Sequence, residues 1–309
     1  MPGSFHELLN FDLPRIDSDA VELGSVLGRG ATSTAFRSTF NGKSYAAKVL
    51  KDEDQLIGNV HQSVITEVST LSKLGHHPNV VQFHGICLDK SFRPIILMEL
   101  VEGKDLERYL TQLRPGFDLG RPTIQKWSLD LLSALEYLHT RDPIIIHCDI
   151  KPANLLVSAD LKSLKLTDFG IAKALERDRR LASASKTNAG SLHYQAPEIL
   201  SKSGTAFYTE KSDIYSAALV IYYLLSGQRP ESDVNADTRW RPTVLVAQMR
   251  WRKAADLLER MWAPDPEARP SAGVCAAAVR RMGLGRRAEL RAGLSSLLPR
   301  GWLRSTLVR

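Results

Sequence analysis

Eight consecutive residues, His147-Cys148-Asp149-Ile150-Lys151-Pro152-Ala153-Asn154, place a carboxylate, an ammonium and a carboxamide within six positions of one another. On one loop, Asp149 can accept a hydroxyl proton, Lys151 can neutralise charge developing on a phosphate, and Asn154 can hold a magnesium ion. Fourteen residues further on, Asp168-Phe169-Gly170 adds a second hard carboxylate suited to magnesium, followed by a glycine that permits a sharp turn. Ala196-Pro197-Glu198 closes this stretch. Two features upstream also concern phosphate. In Leu27-Gly28-Arg29-Gly30-Ala31-Thr32-Ser33-Thr34-Ala35 the glycines let a turn press its N–H groups close to an anion, although an ordinary hairpin is the better reading of that loop taken alone. Lys48, in Tyr45-Ala46-Ala47-Lys48-Val49, is a charge inside an apolar strand, costly to bury unless an anion meets it. A lysine snorkelling from a sheet edge gives the same pattern.

These groups need a scaffold. Residues 21–50 read as three antiparallel strands, with Asn41-Gly42 as a hairpin signal between two alternating runs. Residues 62–74 carry Val64, Ile65, Val68, Leu71 and Leu74 at helical spacing. Two more strands are predicted near 80–88 and 93–101. After Gly103 helices dominate: 123–139 with Ile124, Trp127, Leu131, Leu135 and Leu138 on one face, 212–225 apolar nearly all round, then 252–262 and 271–282. Residues 140–170 and 171–198 read as loops, and long loops in a compact domain usually have a function. No internal repeat is visible.

Composition narrows the class. The chain has 309 residues, 43% hydrophobic and 24% charged, in the ordinary globular range. Cys87, Cys148 and Cys275 are too few and scattered for a disulfide framework or a zinc site, which favours a reducing compartment. No run is apolar enough for a signal peptide or a membrane span, and Pro2 departs from the start needed for myristoylation. Residues 279–309 hold eight arginines and one acid, Glu289, and so carry the whole formal excess of +7. A formally neutral body argues against nucleic-acid binding and leaves the tail as a contact for an anionic partner, or as a solvated terminus.

In order, type and spacing the motifs resemble those of the eukaryotic protein kinases across roughly residues 21–282. The resemblance implies an α+β, bilobal fold: a small antiparallel-sheet lobe with one helix at 21–101 and a larger, mainly helical lobe at 102–283. Residues 1–20 would be an extension and 284–309 a basic tail. It implies ATP and Mg2+ as cofactors and protein hydroxyls as substrate, in the cytoplasm or nucleus. Lys48 would hold the α- and β-phosphates and pair with a helix glutamate, for which Glu67 is the best candidate. Asp149 would be the base, with Lys151 beside it and Asn154 and Asp168 on the metal. Leu27, Gly28, Gly30 and Ala35 would cover the nucleotide. Ala46 and Leu156 would sandwich the adenine, Met98 would stand behind it, and Glu99-Leu100-Val101 would be the hinge that binds its edge. Leu71, Phe83, His147 and Phe169 would stack between the lobes. Asp213 would accept from the catalytic-loop backbone, and Arg269 would pair with Glu198. Lys151 and Gly190-Ser191 resemble the serine/threonine pattern. His77-Pro78-Asn79-Val80-Val81 and Met261-Trp262-Ala263-Pro264-Asp265-Pro266 resemble the tyrosine-kinase-like group.

The departures bear on control. Ser33 stands where the family has its third glycine, and Ala35 where it has valine. Cys148 replaces the arginine that usually precedes the base, and a thiol cannot pair with an activation-segment phosphate. Only 40 residues separate Pro230 from Pro270, so this segment is abbreviated. The expectation is activity without phosphorylation of Ser183, Ser185 or Thr187, since Arg179, Arg180 and Lys186 lie on the same segment and must themselves be ordered. Ser191 is expected near Asp149 and Lys151. The rival readings are a pseudokinase or scaffold, a small-molecule or lipid kinase, and a nucleic-acid binder. A pseudokinase predicts loss of Lys48, Asp149, Asn154 or Asp168, and all four are present.

Overall fold

Asn41 and Gly42 both take positive φ, 48° and 70°, so they form the two-residue turn whose twist suits a tight hairpin. That turn joins β2 (Ser33–Phe40) to β3 (Lys43–Leu50) in unbroken antiparallel register, with β1 (Val21–Arg29) on the other side of β2. Helix α1 (Val60–Lys73) follows, then β4 (Phe83–Leu88) and β5 (Pro94–Glu99). The five strands form one antiparallel sheet in the order β1-β2-β3-β5-β4. Val64, Ile65, Val68 and Leu71 of α1 join the main core, while Ala47, Val49, Cys87, Ile95 and Leu97 form a smaller cluster. The computed structural model describes residues 13–30, 32–51, 60–113, 119–175, 182–183, 193–200, 207–230 and 251–282.

The second lobe begins with β6 (Gly103–Asp105) and the short helix α2 (Leu106–Thr111), capped by the Asp105 carboxylate on the Arg108 N–H. Helix α3 (Arg121–His139) buries Ile124, Trp127, Leu131, Leu135 and Leu138, as its spacing predicts. The stretch expected to be loop at 140–170 is more ordered than that. It contains β7 (Ile144–Ile146), a 3-10 turn at Pro152–Asn154, β8 (Leu155–Ser158) and β9 (Leu164–Leu166). Runs of three or four residues are too short to show a period, and they become strands only through partners: β8 lies between β6 and β9. Likewise β10 (Lys173–Leu175) pairs with β7, and β11 (Ala182–Ser183) pairs with β12 (Phe207–Tyr208), so 171–198 is not loop throughout. Helix α4 (Pro197–Leu200) precedes α5 (Glu210–Ser226). Thr209 and Ser212 cap α5 reciprocally and Gly227 ends it at φ 67°, while every residue from 212 to 224 is buried. Two helices, α6 (Arg252–Met261) and α7 (Ala272–Arg281), complete the lobe, and α7 packs on α3. This is the expected α+β, two-lobed architecture. No helix among the described residues is long and apolar enough to cross a membrane.

The supposed extension is part of the first lobe from residue 13 onward. Leu13 is buried in the core, Ile16 packs on the smaller cluster, and Ile86 exchanges backbone hydrogen bonds with this segment: Ile16 N donates to Ile86 O and Ile86 N to Pro14 O. Glycine at 85 makes room, because a Cβ there would lie 2.6 Å from both Ile16 Cδ1 and Pro14 O. Gly85→Ala should therefore cost about 1–3 kcal/mol of stability, read from denaturant midpoints. In a protein lacking residues 1–20 the penalty should be smaller, the remainder coming from the φ of 156° at residue 85, and an equal penalty in both would mean that the segment is not what Gly85 accommodates.

Candidate active site

Strand β3 turns Lys48 into the space between the lobes. Its Nζ lies 2.7 and 2.6 Å from the two carboxylate oxygens of Glu67 on α1, and 3.2 Å from Asp168 Oδ1. Burial alone would lower the Lys48 pKa, but Asp168 and Glu67 outweigh it and hold the ammonium above its ordinary value. Burial pushes Glu67 up, against the pull of Lys48. Lys48 holds Asp168 below the usual carboxylate range, against the burial effect. One cation thus ties the sheet, α1 and the loop after β9 together.

The catalytic-loop candidates are held from below. Asp213, 1% exposed near the start of α5, accepts from His147 N at 2.9 Å and Cys148 N at 3.0 Å. Cys148 needs that support, because its φ is 66°, a region costly for any residue with a Cβ. His147 meets Phe169 edge-on with ring centroids 4.9 Å apart, and both are fully buried, while Leu71 and Phe83 are buried in the core that holds Phe169. Asp149 Oδ2 receives Lys151 Nζ at 2.6 Å and Asn154 Nδ2 at 2.9 Å. The same Asn154 nitrogen donates to Asp149 O at 2.9 Å. These bonds fix the orientation of the Asp149 carboxylate on the 3-10 turn. Asp168 takes φ 67° just after β9, which aims its half-exposed side chain at Lys48.

Do these residues fit a divalent metal? With the Asn154 amide nitrogen committed twice, the atom it offers an ion is its carbonyl oxygen, and Asp168 adds a carboxylate. Among the described residues no group of three or more His, Cys, Asp or Glu forms a cage. One carboxylate and one amide oxygen, completed by substrate phosphates and water, is how magnesium is commonly held. The donor set fits that ion better than zinc.

The candidate nucleotide residues lie on β1, β2, β3, β5 and β8, in the turn after β1 and just after β5. Gly28 pairs with Ala35 across β1 and β2, and Gly30 N donates to Ser33 O at 2.8 Å, closing the turn. Ser33 lies in β2 without positive φ, so its side chain brings no backbone strain. Leu27 is 38% exposed. Ala46 pairs with the buried Met98 across β3 and β5, and Phe83 pairs with Met98 from β4. Glu99 N donates to Gln82 O, and the Glu99 side chain meets Lys165 Nζ at 2.6 Å. Val101 packs on the core just before β6, whose Asp105 is opposite Leu156 in β8.

Three contacts were missed in the sequence. Arg37 grips Glu102 with both nitrogens, tying β2 to the crossover after Val101. His139 Nε2 lies 3.0 Å from Asp213 Oδ2. Ser63 Oγ donates to Gly170 O at 2.7 Å. No periodicity marks such residues, since each acts through a partner 65 or more positions away. Arg269 meets Glu198 through Nη1 at 2.7 Å and Nη2 at 2.8 Å. Cys148 points its thiol at Ile146 O, and burial, followed by Asp213, raises its pKa well above the ordinary value. The other regulatory candidates, Ser185, Thr187, Arg179, Arg180, Lys186 and Ser191, lie outside the described residues, as do the side chain of Ser183, the abbreviated segment at 231–250 and the tail from 283.

Comparison with known proteins points one way. The family model described as protein kinase domain matches residues 21–279. A probable serine/threonine-protein kinase of Dictyostelium discoideum, drkD, is 34% identical over 259 residues, covering 81% of this chain and 19% of its own length. The dual specificity protein kinase shkA of the same organism is 29% identical over 84% of this chain and 48% of its own. Human mitogen-activated protein kinase kinase kinase 7 is 29% identical over 86% of this chain and 42% of its own. The chain spans less than half the length of each of these relatives.

Proposed function

As this chain belongs to the protein kinase domain family, we propose that it transfers the γ-phosphoryl group of ATP to serine and threonine hydroxyls of proteins, with magnesium as the divalent ion. The observation that carries this reading is a cluster drawn from distant parts of the chain beside one short loop, the two set side by side where Thr167 N donates to Asn154 O at 3.0 Å. Lys48, Glu67 and Asp168 form the cluster, and Asp149, Lys151 and Asn154 lie on the loop.

In this mechanism Asp149 accepts the proton of the attacking hydroxyl, held in place by Lys151 and Asn154. Lys151 lies beside it, where charge develops on the transferred group. Lys48, itself fixed by Glu67, positions the phosphates. Asn154 and Asp168 would hold the metal, which neutralises phosphate charge when bound. The backbone of the turn at Gly28 and Gly30 covers the nucleotide, with Leu27, Ala35, Ala46 and Leu156 on the base, Met98 behind it, and Glu99 and Val101 at its edge.

The deciding experiment is incubation with labelled ATP, magnesium and generic protein substrates beside an Asp149→Asn control. Phosphoserine and phosphothreonine formed by the wild type alone support the proposal. Nucleotide binding without turnover would favour the pseudokinase reading, which no observation here supports. Phosphotyrosine in the product would point to the dual specificity that one relative's name carries. Lys151, Gly190-Ser191 and the two phrases noted above favour the serine/threonine type within the tyrosine-kinase-like group. Three free, buried thiols suit a reducing compartment, cytoplasm or nucleus. The arginines from 280 onward suit an anionic partner, a reading that fails if binding to such a partner is insensitive to salt.

Regulation follows from Cys148. Where the family's arginine would bind an activation-segment phosphate, this chain has a buried neutral thiol. Ser183, Ser185 and Thr187 changed together to alanine should keep most of the activity, as should phosphatase-treated wild type. Collapse of activity in both, restored in the wild type by rephosphorylation, would show that another cation has taken over the role.

A further inference from the structure

Helix α1 carries Glu67, and whatever fixes α1 therefore fixes the Lys48 pair. Its apolar side is packed into the core through Val64, Ile65, Val68 and Leu71. On one further side the packing is incomplete. A cavity of about 330 Å³ lies among Ser69 and Thr70 of α1, Arg141 and Pro143 before β7, and Ala172 and Ala174 at β10. Along that stretch a solvent-open pocket lies between helix and strand, so fewer contacts locate one against the other than a filled interface would give. One turn before Glu67, and on the same helix face, Ser63 Oγ donates to Gly170 O at 2.7 Å. The approach is close: a Cβ on residue 170 would lie 2.7 Å from Ser63 Oγ. Gly170 ends the Asp168-Phe169-Gly170 turn, whose Asp168 also meets Lys48. The turn and α1 are thus joined twice, once through Lys48 and once directly through a serine hydroxyl.

We infer that Ser63 is a positioning residue for phosphoryl transfer, latching α1 to the turn that carries Asp168. The inference rests on the kinase reading above. With the latch absent, α1 can shift toward the cavity, and Glu67 leaves Lys48 for part of the time. Nucleotide and protein substrate still bind, but fewer molecules hold the phosphates in line. The test compares wild type, Ser63→Ala and Ser63→Thr by steady-state kinetics and by amide hydrogen exchange. In Ser63→Ala, kcat should fall about fivefold to tenfold, the change that one hydrogen bond of ordinary net strength produces, with KM for the protein substrate unchanged. Exchange should rise in α1 and stay at the wild-type level in α5. Ser63→Thr, which keeps the hydroxyl, should recover both. The inference is overturned if Ser63→Ala matches wild type in kcat and α1 exchange. It is equally overturned if α5 loosens as much as α1, or if Thr and Ala lose alike. Should the wild type show no kinase activity, the proposed function fails, while the exchange measurements still decide whether the latch exists.

Discussion

Asp168→Asn should lower kcat by at least about a thousandfold while leaving the protein folded, the scale expected when a preorganised charge at the transferring group is removed. Asparagine keeps the shape and the φ of 67° is one it tolerates, so the backbone has no reason to move. The charge is what goes. Asp168 is held ionised by Lys48, and its folded pKa lies below the ordinary value of 3.8. The stability this confers is fully present above that ordinary value and is lost as pH falls through the folded one. At neutral pH the substitution therefore forfeits some stability as well, although the side chain is 46% exposed and solvent screens most of the effect. Lys48→Met tests the opposite end of the same contact. It removes the phosphate-positioning cation and leaves Glu67, 2% exposed, with its pKa pushed further up by burial. Circular dichroism would show both variants folded, and labelled-ATP assays would show both crippled. Wild-type turnover in either would overturn the assignment of roles.

The largest loss of stability should come from Arg269→Met. Arg269 is 1% exposed and anchors five partners: Glu198 through both terminal nitrogens, Ala263 O through Nε, Lys211 O through Nη1, Pro264 O through Nη2, and the Tyr215 ring at 5.0 Å. Removing one partner of a buried pair costs about 3–5 kcal/mol, because the other charge is left without compensation. Glu198 retains 22% exposure, so water relieves part of that penalty and the lower end is expected. At about 2–4 °C per kcal/mol for a chain of this size, the fall in Tm should be on the order of 10 °C. Arg269→Lys should rescue little, since a single ammonium cannot reproduce the forked contacts. Adding Glu198→Leu to Arg269→Met should recover part of the loss by removing the stranded carboxylate. A Tm within about 2 °C of wild type for Arg269→Met alone would show the pair to be dispensable.

Much of this architecture was legible because its signals are local. Asn41-Gly42 is a turn in almost any context, and the 3.6-residue spacing of α3 survives whatever packs against it. The α5 segment is apolar all round because it is buried all round. Legibility failed where a segment has no preference of its own. Leu164–Leu166 is as good a helix as a strand and becomes a strand only beside β8, while Ile144–Ile146, β-branched and inclined to strand, is too short to show a period until it pairs with β10. Residues 13–20 hold no periodicity, and they are placed by Ile86 and by the space above Gly85.

At the site the division is the same. The amino-acid sequence by itself determined which functional groups exist and how far apart they lie along the chain: Asp149, Lys151 and Asn154 within one short loop, Asp168 fourteen positions on, and a lysine at 48 that an apolar strand would not otherwise carry. It also determined an absence, since Cys148 cannot serve as a phosphate receptor whatever surrounds it. Only the tertiary structure decided that Arg37 grips Glu102, that His139 backs Asp213, and that Ser63 reaches Gly170 across 107 positions. The physical reason is that a hydrogen bond has a range of about 3 Å. Pairing of that kind depends on where the chain returns in space, and the position of a residue along the sequence carries no record of it.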